Sequence, residues 1–87
     1  MSIKTPTELQ DTVAGMTSQD YRERFKAEYD QLSIRMHKLG VMLIKWTKGE
    51  LDFDPSCPYD LLERQHAAMM DYQAVLEERA QIEGIEL

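Results

Sequence analysis

Residues 18–47 read SQDYRERFKAEYDQLSIRMHKLGVMLIKWT, and this stretch decides the fold. Phe25, Tyr29, Leu32, Met36, Leu39, Leu43 and Trp46 recur at spacings of 4, 3, 4, 3, 4 and 3. An apolar stripe of period 3.5 belongs to a long helix packed along its length on another helix. Tyr21 lies four residues ahead on the same stripe. Thr17 and Asp20 form a capping pair in front of it, and Asp20 is well placed at the positive helix end. The spacing predicts a helix over 18–47, about 45 Å long at 1.5 Å per residue. Gly40 in its interior costs about 1 kcal/mol relative to Ala, and marks a bend or a close helix approach.

Working outward, the segment 59–83 contains neither Gly nor Pro. Pro58 suits a first helical position, Asp60 a first turn and Gly84 a stop, which predicts a helix over 58–83. Its apolar residues, from Leu61 to Ile82, wrap wider than one seam. The connecting loop, KGELDFDPSC over 48–57, alternates the acids Glu50, Asp52 and Asp54. It lacks the glycine and terminal bidentate Glu of a calcium loop. On the N-terminal side, Thr5-Pro6-Thr7-Glu8 presents a capping hydroxyl, a proline at the first helical position and a glutamate three residues after the cap. Leu9, Val13 and Met16 follow at helical spacing, so a short helix is expected over 5–15, ended by Gly15 and docked on the rest. The expected architecture is all-α: one domain over 1–87, a short N-terminal helix followed by an antiparallel two-helix hairpin.

A second apolar strip, Ala27, Ile34 and Val41, repeats every seven residues on the far side of the long helix, flanked by Lys38, Lys45 and Lys48. A two-helix hairpin covers one face only, so this strip meets another chain or the first helix. A homo-oligomer is expected.

The chain has 87 residues and a formal charge of −6. That acidity argues against a sequence-independent grip on DNA or RNA. Cys57, His37 and His66 are too few for a four-ligand zinc site, so no metal or other cofactor is expected. No apolar run approaches the length of a membrane span. The first 20 residues lack a leader pattern, which sets the expected location in the cytoplasm. Charge is unevenly spread. Residues 21–48 carry seven basic and three acidic groups, a net of +4, whereas 49–87 carry two basic and ten acidic groups, a net of −8. One reading is electrostatic matching of the two long helices. The other is a small anionic ligand held by a few Lys and Arg side chains beside an aromatic ring. Tyr21, next to Arg22, Arg24 and Lys26, is the best local arrangement for a ligand with a base and a phosphate. A phosphate loop, a G-x-S-x-G turn and an H-E-x-x-H helix are all absent, so no enzyme is expected.

Two stretches resemble a known family. They are LLERQHAAMMDYQAVLEER over 61–79, and Tyr21-Arg22-Glu23-Arg24-Phe25 followed by Glu28, Leu32, Arg35, Lys38 and Leu39. From Tyr21 to Ile82 the pattern is similar to the helical-hairpin domain of bacteriophage anti-defence sponges, namely the anti-CBASS cyclic-oligonucleotide sponge and the hairpin portion of a Thoeris anti-defence protein. The resemblance implies interlocked oligomers, typically hexamers, in the host cell cytoplasm. It implies binding of cyclic nucleotide second messengers between protomers, without cleavage. Bases would stack on aromatic rings, and Lys or Arg would meet phosphates. Carried onto this chain, it makes Tyr21, Lys26, Arg35 and Lys38 the expected ligand-binding residues, with a cyclic dinucleotide or related signalling nucleotide as partner. The alternative is a helical interaction module that binds a host or phage protein through an exposed apolar strip.

Overall fold

A computed structural model describes residues 8–87, and its elements are all helical. A 3₁₀ turn over Leu9–Thr12 runs directly into helix α1, Val13–Met16; α2 spans Tyr21–Thr47 and α3 spans Tyr59–Glu83. None is long and apolar enough to cross a membrane.

The helix ends follow local chemistry. The long helix starts at Tyr21 and not at Ser18, because Asp20 is its cap: extended in backbone, Asp20 accepts a hydrogen bond from the Arg22 amide through Oδ1 (2.9 Å). Ser18 Oγ in turn accepts from the Asp20 amide (3.0 Å). Pro58 stands one residue earlier than expected, as the extended cap of α3. Both long helices end on a left-handed glycine with φ of 69°, Gly49 and Gly84. After α2 the Gly49 amide donates to the Trp46 carbonyl (3.1 Å) and the Glu50 amide to the Lys45 carbonyl (2.9 Å), so two orphan carbonyls are satisfied by a sharp reversal. After α3 the Ile85 amide reaches back to the Ala80 carbonyl (2.8 Å), which folds Ile85 against Ala80; both are buried.

The two long helices are antiparallel. Tyr21 meets Glu83, Tyr29 meets Glu77, Ser33 meets Gln73 and Trp46 meets Tyr59. Toward the loop end, a Cβ at position 40 would come within 3.0 Å of His66 Nε2, so Gly40 marks a close approach of the helices. The core is Phe25, Leu32, Leu76, Ala80 and Ile85, with Tyr29 and Met69 against it. Of the period-3.5 seam, Phe25, Leu32 and Leu43 are buried and the other four are half-buried.

The second strip has an occupant within the chain. A Cβ on Gly15 would stand 3.0 Å from Ala27 Cβ, so α1 lies directly on the back of α2. Ala27 and Ile34 are buried, while Val41, beyond the reach of the short segment, is 39% exposed. Gly15 therefore serves as the contact point and not as the stop, since the helix continues to Met16. The Thr5 cap lies outside the described residues; within them Glu8 caps the first turn. Apolar surface is left open on α3, as it is at Val13, Ile44 and Phe53 elsewhere. Leu61, Ala68, Val75 and Ile82 repeat every seven residues on the outer side of α3, and Ile82 is 85% exposed.

Candidate ligand-binding site

The four residues expected to bind ligand do not converge within one protomer. Tyr21 and Lys38 are seventeen residues apart on one helix, about 25 Å along its axis, and Lys26 lies about 140° around the helix from Tyr21. Each residue has its own surroundings. The Tyr21 hydroxyl donates to Glu83 Oε1 (2.5 Å) and accepts from Arg79 Nη2 (2.8 Å). Its ring stands edge-on to Phe25 at 6.2 Å and remains 46% exposed. Arg79 also donates through Nε to Glu83 Oε2 (3.1 Å) and lies over the Phe25 ring, 4.9 Å from its centroid. The hydrogen bond from Tyr21, reinforced by Arg79, holds the Glu83 carboxyl below the usual carboxylate range. The same hydrogen bond pushes the Tyr21 phenol up, because ionisation would forfeit the proton donated to Glu83.

The cations beside Tyr21 are already engaged. Arg22 Nη1 donates to the Gly84 carbonyl (2.9 Å), Arg24 Nη1 to the Ser18 carbonyl (2.8 Å), and Lys26 Nζ pairs with Asp30 (2.9 Å). The first ties the start of α2 to the end of α3, the other two are local to α2 and its cap, and a phosphate would have to compete with all of them. Lys26 also borders an open cleft of about 410 Å³ with Arg22, Glu23 and the 84–86 segment. Arg35 is exposed on α2 and has no ion pair among the described residues. Lys38 Nζ pairs with Glu8 of the N-terminal segment at 3.0 Å, with both side chains more than half exposed.

Lys38 has a further neighbourhood that sequence reasoning did not assemble. The reversal at Gly49 turns the chain back along α2, and a cleft of about 290 Å³ opens between helix and loop. Lys38, Val41, Met42 and Lys45 line it from the helix, and Glu50, Leu51, Asp52 and Phe53 from the loop. Phe53 is 53% exposed. It is shared with a neighbouring hollow that Trp46, Gly49, Asp54 and Pro55 border. Half of this cleft had a sequence signal, the Lys38–Lys45 spacing of seven. The loop half had none, since its return onto the helix depends on a left-handed glycine.

Among the described residues no three His, Cys, Asp or Glu side chains gather as a metal-ligand set. The arrangement is one of cations, aromatic rings and shallow clefts on a helical frame, suited to holding a ligand. No curated protein and no solved structure matches the chain. A family model described as Sequestin matches residues 19–82, which takes in all of α2, the loop and nearly all of α3. With helices, loop cleft and basic face all inside that match, the chain belongs to the Sequestin family, whose name denotes keeping a ligand and not converting it.

Proposed function

We propose that this chain sequesters cyclic nucleotide second messengers, cyclic dinucleotides foremost and cyclic trinucleotides as a further class, and releases them unchanged. In a phage-infected cell this withholds the signal of a CBASS-type defence in the host cytoplasm. The observation that carries the reading is the Sequestin match over 19–82, and the net +4 of residues 21–48 supports it. Tyr21, Lys26, Arg35 and Lys38 remain the proposed ligand contacts. Because they are spread along α2, they act together only where different protomers bring them to one pocket. Assembly is thus part of the proposal, with a hexamer as the favoured state. The outer side of α3, with Leu61, Val75 and Ile82 exposed, supplies apolar area for it.

Sequestration works by mass action, so affinity and copy number set its effect. Stacking is worth about 1–3 kcal/mol per base, and a charge-assisted hydrogen bond about 1.5–3 kcal/mol. Two of each leave nanomolar affinity within reach after ordering costs. The test is a thermal-shift panel of cyclic di- and trinucleotides, followed by denaturation and mass analysis of the released ligand. Stabilisation with return of the intact nucleotide is expected. A linear product would mean catalysis, and no shift with any member of the panel would end the proposal.

The same exposed stripe on α3 favours a second reading, a helical module that binds a host or phage protein. Equilibrium sedimentation separates the two. A monomer at micromolar concentration, unshifted by cyclic nucleotides, selects the interaction module.

A further inference from the structure

The cleft between the C-terminal half of α2 and the 48–57 loop is, we infer, a binding site for one guanine nucleotide unit: a purine with a donor edge, carrying a phosphate. The inference rests on the sequestration reading for the choice of a nucleotide over other anions. The chemistry of the cleft supplies the rest. Phe53, 53% exposed, lines the cleft together with the apolar side chains of Val41, Met42 and Leu51. An aromatic ring held there is a stacking platform for a base. Lys38 and Lys45 lie seven residues apart on one side of α2, about 10 Å along its axis. Lys45 has no ion pair among the described residues, and Lys38 has only the exposed contact with Glu8. The Lys45 ammonium is open to a phosphate, and Lys38 can join it by exchanging its exposed contact with Glu8.

The two carboxylates in the cleft, Glu50 and Asp52, decide between ligands. They cancel the lysines in net charge, so the cleft does not gather anions indiscriminately. A carboxylate accepts from N–H donors. The Watson–Crick edge of guanine presents two, N1–H and the exocyclic amine, side by side; adenine presents only its amine. A ligand with phosphate at one end and a double donor at the other matches the split of charge. The volume of about 290 Å³ lies at the small end of ligand clefts. It takes one nucleotide unit, and a cyclic dinucleotide would leave its second half outside.

The site exists in the single chain, so it is testable without any assumption about assembly. The probes are 5′-GMP, 5′-AMP and inorganic phosphate, titrated into the isotopically labelled full chain and followed by amide NMR shifts. Amides of 41–45 and 50–53 are expected to move saturably with GMP. AMP should bind about tenfold more weakly, and phosphate should not saturate in the same range. Phe53→Ala and Lys45→Glu, both at exposed positions, should each weaken GMP about tenfold or more. Glu8→Gln, which frees Lys38, should tighten it a few-fold. Cleft amides unmoved by millimolar GMP, shifts confined to the Tyr21 end, or phosphate as effective as GMP would each overturn the site. A cyclic dinucleotide that stabilises the protein while GMP leaves the cleft silent removes this site and keeps sequestration. GMP saturating the cleft with no cyclic nucleotide bound keeps the site and removes sequestration.

Discussion

Where the start of α2 meets the end of α3, Phe25 packs with Leu76, Ala80 and Ile85 beneath Tyr21, Arg79 and Glu83. At the other end of the same two helices, Trp46 touches Tyr59 edge-on at 5.3 Å, Leu43 is the buried side chain, and clefts open around the loop. One end is packed and tied by side chains; the other is held by a helix cap, the Trp46–Tyr59 contact, the buried Leu43 and the approach of Gly40 to His66. The contrast teaches a division of labour. Burial at the first end supplies the stability that lets the second leave Phe53, Lys45 and its carboxylates in water, where a ligand reaches them.

The comparison is broken most directly at Leu76, which is 1% exposed. Leu76→Ala should cost about 2–5 kcal/mol through lost burial and a cavity. Leu51→Ala, at a half-buried position of the loop, should cost under half as much; denaturant midpoints compare the two. If they match, the ends are equally important to the fold and the division fails.

The N-terminal segment sharpens the contrast next. A methyl on Gly15 would press at 3.0 Å on Ala27 Cβ and 3.4 Å on the Glu23 carbonyl, neither of which moves freely. Gly15→Ala should cost about 1–3 kcal/mol. Gly40→Ala meets only the ring of His66, the end of a side chain, and its gain of about 1 kcal/mol in helix propensity offsets the displacement. Thermal melts should show a lower midpoint for the first and a nearly unchanged one for the second. By the same geometry Ile34→Glu should strip the N-terminal segment from α2 and not dissociate an assembly, because Ile34 lies beneath that segment.

Smaller again is the titration of the clasp at the packed end. Glu83 titrates lower when folded than when unfolded. Its contribution is therefore present above about pH 4.3 and is lost as the pH falls through its folded value. The difference in Tm between wild type and Glu83→Gln should be constant from pH 7 to 5 and vanish in acid. A difference that persists below the carboxylate range would mean the clasp is not ionic.

The smallest effect on the monomer is expected at Ile82, 85% exposed. Ile82→Asp should leave the unfolding free energy of the isolated chain within about 0.5 kcal/mol of wild type. Light scattering should report loss of any oligomer built on the outer side of α3. An intact oligomer in that variant places the interface elsewhere.

The long-range pattern was legible because burial and period are the same information. The seam from Phe25 to Trp46 predicted the hairpin, and Gly84 its end. The strip at Ala27 and Ile34 was equally legible, but its occupant was not. Period shows that a face is covered, and only the docking of Gly15 on Ala27 shows by what. The start at Tyr21 was blurred because Thr17, Ser18 and Asp20 all bear capping oxygens, and only Asp20 both adopts the extended backbone and accepts from the Arg22 amide. The candidate cleft was least legible. Lys45 and Phe53 are eight residues apart across a reversal, and no periodicity crosses a left-handed glycine.

The placement of the core at the far end from the connecting loop has a kinetic consequence. Phe25 and Leu76 are 51 residues apart in the chain, whereas Trp46 and Tyr59 are only 13 apart. Chain-entropy scaling makes the wider closure costlier by about 1.2 kcal/mol. The nearby pair comes cheaply but brings little burial, so zippering outward from the loop is not rewarded along the way. The rate should be limited by bringing the distant ends together, and the whole hairpin should appear in one step, with a chevron whose folding arm responds to Phe25 and Leu76 more than to Trp46.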